Sequence, residues 1–139
     1  MRTIRTGTLL LFALLLVASG CASAGKQRDA LERNQTAWAS AIRWNDVEAA
    51  VPLIDPARRQ AHPLDALSRE RYAQVQVTGY RELRAQVGAT EASREIEVRV
   101  VNRHTMAERT LRLHERWRWD PVAATWWNVE GLPDFWAGE

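Results

Sequence analysis

The second half of the chain alternates apolar and polar residues with a period of two. Within REIEVRVVN, residues 94–102, Ile96, Val98 and Val100 fall on one side and charged residues on the other. The same pattern occurs in YAQVQVTGY (72–80), RTLRLHERWRW (109–119) and TWWNVE (125–130). Such alternation is typical of strands buried on one face only, as in an antiparallel sheet. The pattern therefore predicts about four antiparallel strands.

Before these strands the apolar residues follow a helical spacing. Leu31, Trp38 and Ile42 fall at i, i+7 and i+11, on one face of a helix expected to begin near Asp29. Asp46 is expected to cap a short second helix, and Ser68 could cap a further helical turn. Helices that precede a run of strands predict an α+β fold, with the helices packed on one face of the sheet.

The first twenty residues have the layout of a bacterial secretion signal. MRTIRTG carries two arginines and no acidic residue, an uncharged apolar run follows, and small residues come next. The run is shorter than the roughly 20 apolar residues of a transmembrane helix. We therefore expect a signal at 1–20, a lipidated cysteine and tether at 21–27, and a single domain at 28–139.

Cys21 is the only cysteine, and it directly follows Ala18, Ser19 and Gly20. This arrangement resembles the lipobox of bacterial lipoproteins. The resemblance implies that the Cys21 thiol is diacylated, that the chain is cut before it, and that the new amino terminus is acylated. Two or more acyl chains anchor a protein stably to a membrane. Ala22 stands where aspartate favours inner-membrane retention, which implies the periplasmic face of the outer membrane. The alternative is an ordinary signal with a stray cysteine.

Charge becomes balanced once the signal is removed. The chain has 19 basic and 17 acidic residues, and two of the basic residues, Arg2 and Arg5, lie in the signal. Nucleic-acid-binding proteins generally show a net basic patch, so no nucleic-acid partner is expected. A chain of this size suits one domain with one core.

Two stretches together resemble the nuclear transport factor two-like superfamily, which includes ketosteroid isomerase and the SnoaL-like cyclases. They are the helices of AWASAIRWNDVEAAVPLIDP (37–56) and the hairpin RWRWDPVAATWWNVEGLP (116–133). With the strands between them, the resemblance spans roughly residues 28–133. It implies a cystatin-like α+β cone, in which the curved sheet encloses a concave pocket. The tail GLPDFW also resembles that of small proteobacterial lipoproteins. Neither resemblance supplies a reaction, because this fold carries both enzymes and binding modules.

Glu115 is the residue most suggestive of chemistry. It falls on the apolar side of its strand between Leu113 and Trp117, the side that would line the concave pocket. A desolvated carboxylate there could act as a general acid or base, with Tyr72 or Tyr80 as a polar helper. The alternative is a structural glutamate paired with an arginine, because buried carboxylates generally need a partner. The predicted pocket residues are Tyr80, Val98, Leu113, Glu115, Trp117 and Trp127.

The opposite side of the sheet is predicted to carry a ladder of charges. Glutamates and arginines of neighbouring strands would face each other, and each opposite pair stabilises by about 0.2–1 kcal/mol. Trp126 is predicted to lie among the arginines, where cation–π stacking is available. This face is either solvated or an interface for a homodimer or an envelope protein, since tryptophan and arginine often carry binding energy. The ladder residues are Glu95, Glu97, Arg99, Arg112, Arg116 and Arg118. The interface candidates are Arg99, Arg112, Arg116, Arg118 and Trp126.

The remaining motifs give no sign of a metal or cofactor. The three histidines, His62, His104 and His114, lack the spacing of metal ligands, so no metal site is expected. No nucleophile elbow or glycine-rich phosphate loop occurs, and no cofactor is expected. In the tail, Phe135 and Trp136 either fold back to close the core or form a partner motif.

These patterns together predict an outer-membrane-anchored periplasmic lipoprotein without catalytic activity. It would act as a binding or accessory module for a small hydrophobic ligand or an envelope protein. The alternative is an enzyme of the ketosteroid isomerase or SnoaL-like type, with an acidic residue in the concave pocket.

Overall fold

The fold was analysed in a computed structural model, which describes the backbone of residues 2–137 and the side chains of residues 23–137. The side chain of Cys21 therefore lies outside the described residues. The helices are α1 (Arg2–Arg43), α2 (Val47–Ala50), α3 (Pro56–Ala61) and α4 (Ala66–Ala73), with a 3-10 turn at Val51–Leu53. The strands are β1 (Val75–Val87), β2 (Glu91–Asn102), β3 (Glu108–Asp120) and β4 (Thr125–Asn128).

The four strands form one sheet in the order β1-β2-β3-β4, each antiparallel to its neighbour. The predicted α+β fold is confirmed, because the helices pack against one face of this sheet. The alternation in β2 sets that face, since Ile96, Val98 and Val100 are all buried. The register of β1 against β2 shifts after Val77 and after Glu82. Such irregularities bend a strand and increase its twist.

The core lies between α1 and the sheet. The predicted stripe of Leu31, Trp38 and Ile42 is buried, which confirms the helical spacing. The Trp38 ring meets the Trp117 ring of β3 edge to face, with 6.0 Å between ring centroids. Trp44 follows the end of α1 and is 82% exposed. Of these two tryptophans, the one within the helix is in the core and the one just after it faces the solvent.

One predicted helix cap is confirmed and one is corrected. Asp46 caps α2 by accepting from the Ala49 N–H, as predicted. The expected cap at Ser68 was wrong: Asp65 caps α4, and the Ser68 N–H donates to it at 2.7 Å. Asp65 is extended and directly precedes the helix, where a short carboxylate reaches the third helical N–H.

The predicted tether is also helical, because α1 runs through residues 21–27 without a break. Within the part of the chain whose side chains are described, no helix combines the length and the apolar character needed to cross a membrane.

Candidate functional site

Glu115 accepts four hydrogen bonds in the core of the domain. Arg94 donates to Oε2 from Nε at 3.0 Å and from Nη2 at 2.6 Å. Trp38 Nε1 donates to Oε1 at 3.0 Å, and the Tyr80 hydroxyl donates to the same oxygen at 2.5 Å. A carboxylate offers about four lone-pair positions, so protein donors match its whole accepting capacity.

Three secondary-structure elements place these donors around the carboxylate. Arg94 of β2 stands directly opposite Glu115 of β3, so both side chains leave the sheet on its inner face. Tyr80 reaches the carboxylate from β1, and Trp38 from the buried stripe of α1. Arg94 is 8% exposed and Glu115 4% exposed. The group therefore ties α1 to three of the four strands.

Sequence reasoning found Glu115 and Tyr80 but missed Arg94. The signal was present, because Arg94 shares the parity of Ile96 and Val98 and so belongs to the buried side of β2. A charged residue at an apolar position of a strand indicates a buried partner. Finding that partner required the strand register, which local spacing does not supply.

The electrostatics of the group favour a fixed ion pair. Arg94 Nη2 also lies 3.1 Å from the Tyr80 hydroxyl oxygen. Burial, followed by the nearby Glu115 charge, raises the pKa of the Tyr80 phenol far above its ordinary value. The Tyr80 phenol therefore stays protonated and donates a hydrogen bond to Glu115. The exposed Arg43 lies with its guanidinium over the Tyr80 ring, 5.4 Å from the ring centroid, and donates from Nη2 to the Tyr80 carbonyl at 3.2 Å.

A small cavity of about 190 Å³ reaches Glu115 between α1, β3 and the C-terminal segment. Of the predicted pocket residues, only Leu113 and Glu115 line it. Val98 and Trp117 are buried in the core instead, because Trp38 of α1 packs down on the inner face of the sheet. Tyr80 contributes to the group through its hydroxyl. The concave pocket expected from the sequence is therefore mostly filled by protein side chains.

The predicted faces of β4 were reversed. Trp126, expected on the outer face, is 1% exposed, whereas Trp127, expected in the pocket, lies partly exposed on the outer face. The hairpin register sets these faces, because Trp126 stands opposite Trp119, and Trp127 stands opposite Arg118.

The burial of Asn128 explains why the sequence pattern of β4 predicted the wrong buried face. It is polar but fully buried, and its side-chain oxygen accepts from the backbone N–H groups of Glu130 and Gly131. Its burial serves the turn that follows the strand. Because the strand has only four residues, one buried polar residue is enough to make its buried face look like the exposed one.

The outer face carries ion pairs, although few follow the predicted ladder. Arg112 pairs with Glu95 at 3.4 Å, as expected for neighbouring strands. Arg116 and Arg118 instead pair with residues outside the two central strands, Glu130 and Asp55.

Two further outer-face residues also depart from the expected ladder. Arg99 stands opposite Thr110, and its guanidinium lies against Gly79, where a Cβ atom would come within 2.8 Å of Nε. Glu97 pairs with Arg81 of β1 at 2.8 Å rather than with β3.

Trp127 borders the arginines of this face and donates from Nε1 to Asp120 at 3.2 Å. A groove of about 640 Å³ is lined by Arg116, Arg118 and Val129, and Arg118 stands opposite Trp127 in the sheet. The outer face therefore combines exposed cations with one half-exposed tryptophan.

The C-terminal tail closes the core, as one of the two sequence-based alternatives expected. Phe135 is buried and packs against Tyr72 with 5.8 Å between ring centroids. Trp136 contacts the same tyrosine and lies under the Arg71 guanidinium at 4.1 Å. The Tyr72 hydroxyl donates to the Pro133 carbonyl, and burial raises the pKa of Tyr72 to about 12.

The histidines are dispersed over the fold. His62 follows α3, His104 lies in the turn between β2 and β3, and His114 lies on the outer face of β3. Among residues 23–137, no three side chains of the metal-binding types lie together.

No protein-family model and no curated protein matches the chain. Solved structures with a similar fold include a SEC-C motif containing protein from Rhodopseudomonas palustris, with a TM-score of 0.55 at 19% identity over 68% of this chain and 71% of that one. A SEC-C motif containing protein from Psychrobacter arcticus has a TM-score of 0.57 at 11% identity, over 73% of this chain and 59% of that one.

A candidate dehydratase of the NTF2-like family from Streptomyces avermitilis has a TM-score of 0.50 at 13% identity, over 76% of this chain and 93% of that one. At these identities the likenesses show the fold alone. The last fits an α+β cone, in agreement with the helices and the open four-stranded antiparallel sheet seen here.

Proposed function

We propose that the protein is a lipid-anchored, non-catalytic accessory module of the bacterial envelope, held at the periplasmic face of the outer membrane. The hydrogen bonds that both Glu115 oxygens accept from protein donors support the non-catalytic part of the proposal. A general acid or base needs hydrogen-bond access to a substrate. Both Glu115 oxygens are already engaged by Arg94, Trp38 and Tyr80, so the carboxylate serves the fold.

The outer sheet face is the better candidate for function. The interior cavity at Glu115 is about 190 Å³, below the usual range of roughly 300–1,000 Å³ for ligand pockets. The outer groove is larger, and it is bordered by Arg116 and Arg118. Arginine and tryptophan are enriched among residues that dominate binding energy. We therefore place an envelope protein on this face, with Trp127 and the two arginines as contacts.

The anchor is tested by metabolic labelling. Cells expressing the full-length protein or Cys21→Ser are grown with an alkyne-bearing palmitate, and their membranes are separated by density. We expect label on the wild-type protein in the outer-membrane fraction and none on Cys21→Ser. An unlabelled wild-type protein would exclude the anchor, and label in the inner membrane would exclude the placement.

The partner is tested by cross-linking intact envelopes and identifying captured proteins by mass spectrometry. The test variant combines Trp127→Ala with Arg116→Ala on the outer face. The matched control combines Trp44→Ala with Arg33→Ala, an exposed tryptophan just after α1 and an exposed arginine of α1. We expect one stoichiometric partner to be lost only in the outer-face variant. Capture of no partner, or equal loss in both variants, would refute the proposal.

The enzyme alternative is favoured by one observation. Glu115, which accepts a 2.5 Å hydrogen bond from Tyr80, lines the cavity that reaches the core, so an acid with a phenol partner adjoins that space. In that interpretation Glu115→Gln abolishes turnover at unchanged stability. In ours it lowers stability and leaves partner capture intact per folded molecule.

A further inference from the structure

Another cavity, of about 410 Å³, lies between α3, α4 and the C-terminal segment, and its lining includes neither Glu115 nor the outer-face residues Arg116 and Arg118. Its volume falls within the usual range for small-molecule sites. Part of its wall is apolar, formed by Ile54, Leu64 and Leu132. The rest is polar and comes mainly from α3 and the start of α4. This division suits a ligand with one polar end and an apolar body.

The polar wall includes two arginines of α3, Arg58 and Arg59. His62, the residue that ends this helix, lines the cavity beside them. Arg58 is held at the rim, because its Nε donates to the Glu130 carbonyl at 3.1 Å. Its remaining N–H groups are available at the cavity edge.

Arg59 is the unusual member of this wall. Its side chain is half-buried, yet it forms no ion pair or hydrogen bond with any residue in the described part of the chain. None of its nitrogens is fully buried, so the guanidinium is open to a molecule that enters the cavity. An unpaired guanidinium in a cavity of ligand size therefore points to an anion from outside the chain.

The charge of the lining sets the charge of that anion. Asp65 is the carboxylate among the lining residues, and its Oδ1 accepts from the Ser68 N–H as the cap of α4. Two arginines and one aspartate leave the lining with one net positive charge, counting histidine as neutral. A monoanion balances this charge, whereas a dianion such as phosphate leaves an excess.

We propose that this cavity binds a small monocarboxylate with an apolar body, whose carboxylate pairs with Arg59. The planar guanidinium fork matches a carboxylate in bidentate geometry. The hydrocarbon part then lies against Ile54, Leu64 and Leu132. This site is independent of the lipid anchor and of the outer face, and it gives the module a ligand-binding function beyond partner docking.

The test uses the full-length protein in nanodiscs of zwitterionic lipid, with ¹³C-labelled isoleucine and leucine methyl groups. Hexanoate, hexylamine and hexan-1-ol are added as probes of equal chain length and different charge. We expect hexanoate to shift the methyl signals of Ile54, Leu64 and Leu132 in a saturable way, and hexylamine to leave them in place. Hexan-1-ol should shift them at least about tenfold more weakly, because it lacks the charge-assisted pair.

Variants separate a specific site from a fold effect. Arg59→Gln should weaken hexanoate binding by about tenfold or more, and Arg59→Lys should restore part of it. Arg69→Gln is the matched control, since Arg69 is an exposed arginine of α4 outside this lining, paired with Glu48. Equal binding of all three probes, absence of shifts with hexanoate, or unchanged affinity in a folded Arg59→Gln protein would overturn the proposal.

Discussion

Replacing Arg94 by methionine should remove a large share of the folding stability. Methionine keeps an unbranched apolar side chain but loses both bonds to Glu115 Oε2 and the contact with the Tyr80 hydroxyl. Removing one partner of a buried pair leaves an uncompensated charge and costs about 3–5 kcal/mol. A typical domain has about 5–15 kcal/mol of unfolding free energy, so the variant approaches the limit of stable folding.

The double variant Arg94→Met with Glu115→Met distinguishes pairing from simple loss of contacts. It removes both charges and leaves two neutral donors, Trp38 Nε1 and the Tyr80 hydroxyl, without their acceptor. Each unsatisfied neutral donor costs about 1–3 kcal/mol, so we expect a loss of about 2–6 kcal/mol. Two independent single losses would total about 6–10 kcal/mol. At the midpoints of these ranges, about 4 and about 8 kcal/mol, the account predicts a coupling of about 4 kcal/mol.

Urea unfolding measures these losses on the domain that begins at residue 21, with Cys21 replaced by serine. Circular dichroism and tryptophan fluorescence should give coincident transitions with an unchanged urea slope. The matched control is Arg112→Met, because Arg112 pairs with Glu95 on the outer face with its side chain 70% exposed. That variant should lose less than about 1 kcal/mol. A comparably small loss in Arg94→Met, or additivity within about 0.5 kcal/mol, would refute the reasoning.

Three further predictions follow from burial and charge. Trp126→Ala should cost about 3–5 kcal/mol in urea unfolding because its indole is buried, whereas Trp127→Ala should cost less than half as much. Both tyrosines have raised pKa values, so absorbance at 295 nm should show no tyrosinate near pH 10 in the folded protein. The stabilisation from Tyr72 should persist below pH 10 and disappear as the pH rises towards 12, and Tyr72→Phe should remove this share of the dependence while that of Tyr80 remains. The hydrogen bond from Arg118 lowers the pKa of Asp55, so its contribution is present above about pH 4 and lost in stronger acid. Asp55→Asn should therefore be less stable than wild type at pH 7 and approach it below pH 4, as judged by urea midpoints.

Period-two alternation predicted the central strands because these strands are long and their inward-facing residues follow a regular pattern. In β2, three successive inner residues are branched and apolar, so a single face assignment satisfies all of them. Strand β4 has only four residues, and the turn that joins it to β3 determines its register. The alternation of so few side chains does not. Trp126 and Trp127 are chemically identical, so only that register decides which is buried. Short strands next to tight turns are therefore the weak point of such predictions.

Only part of the candidate site could be predicted from the sequence. Glu115 stood out because it interrupts an apolar series, which is a local property of one strand. Its partner depends on strand pairing across 21 residues of chain, and many arginines could have served. The extent to which α1 fills the concave face also depends on packing, since Trp38 could have faced either the sheet or its edge. Long-range register and helix placement are the physical information that spacing alone lacks.

The most direct test of the central claim compares an interior variant with an outer-face variant in one assay. Envelopes carrying wild type, Glu115→Gln or Trp127→Ala with Arg116→Ala are cross-linked, and capture is normalised to protease-resistant, folded protein. We predict that Glu115→Gln captures the partner at the wild-type level per folded molecule, whereas the outer-face variant captures none. Loss of capture in Glu115→Gln with full capture in the outer-face variant would contradict the account and place function in the interior.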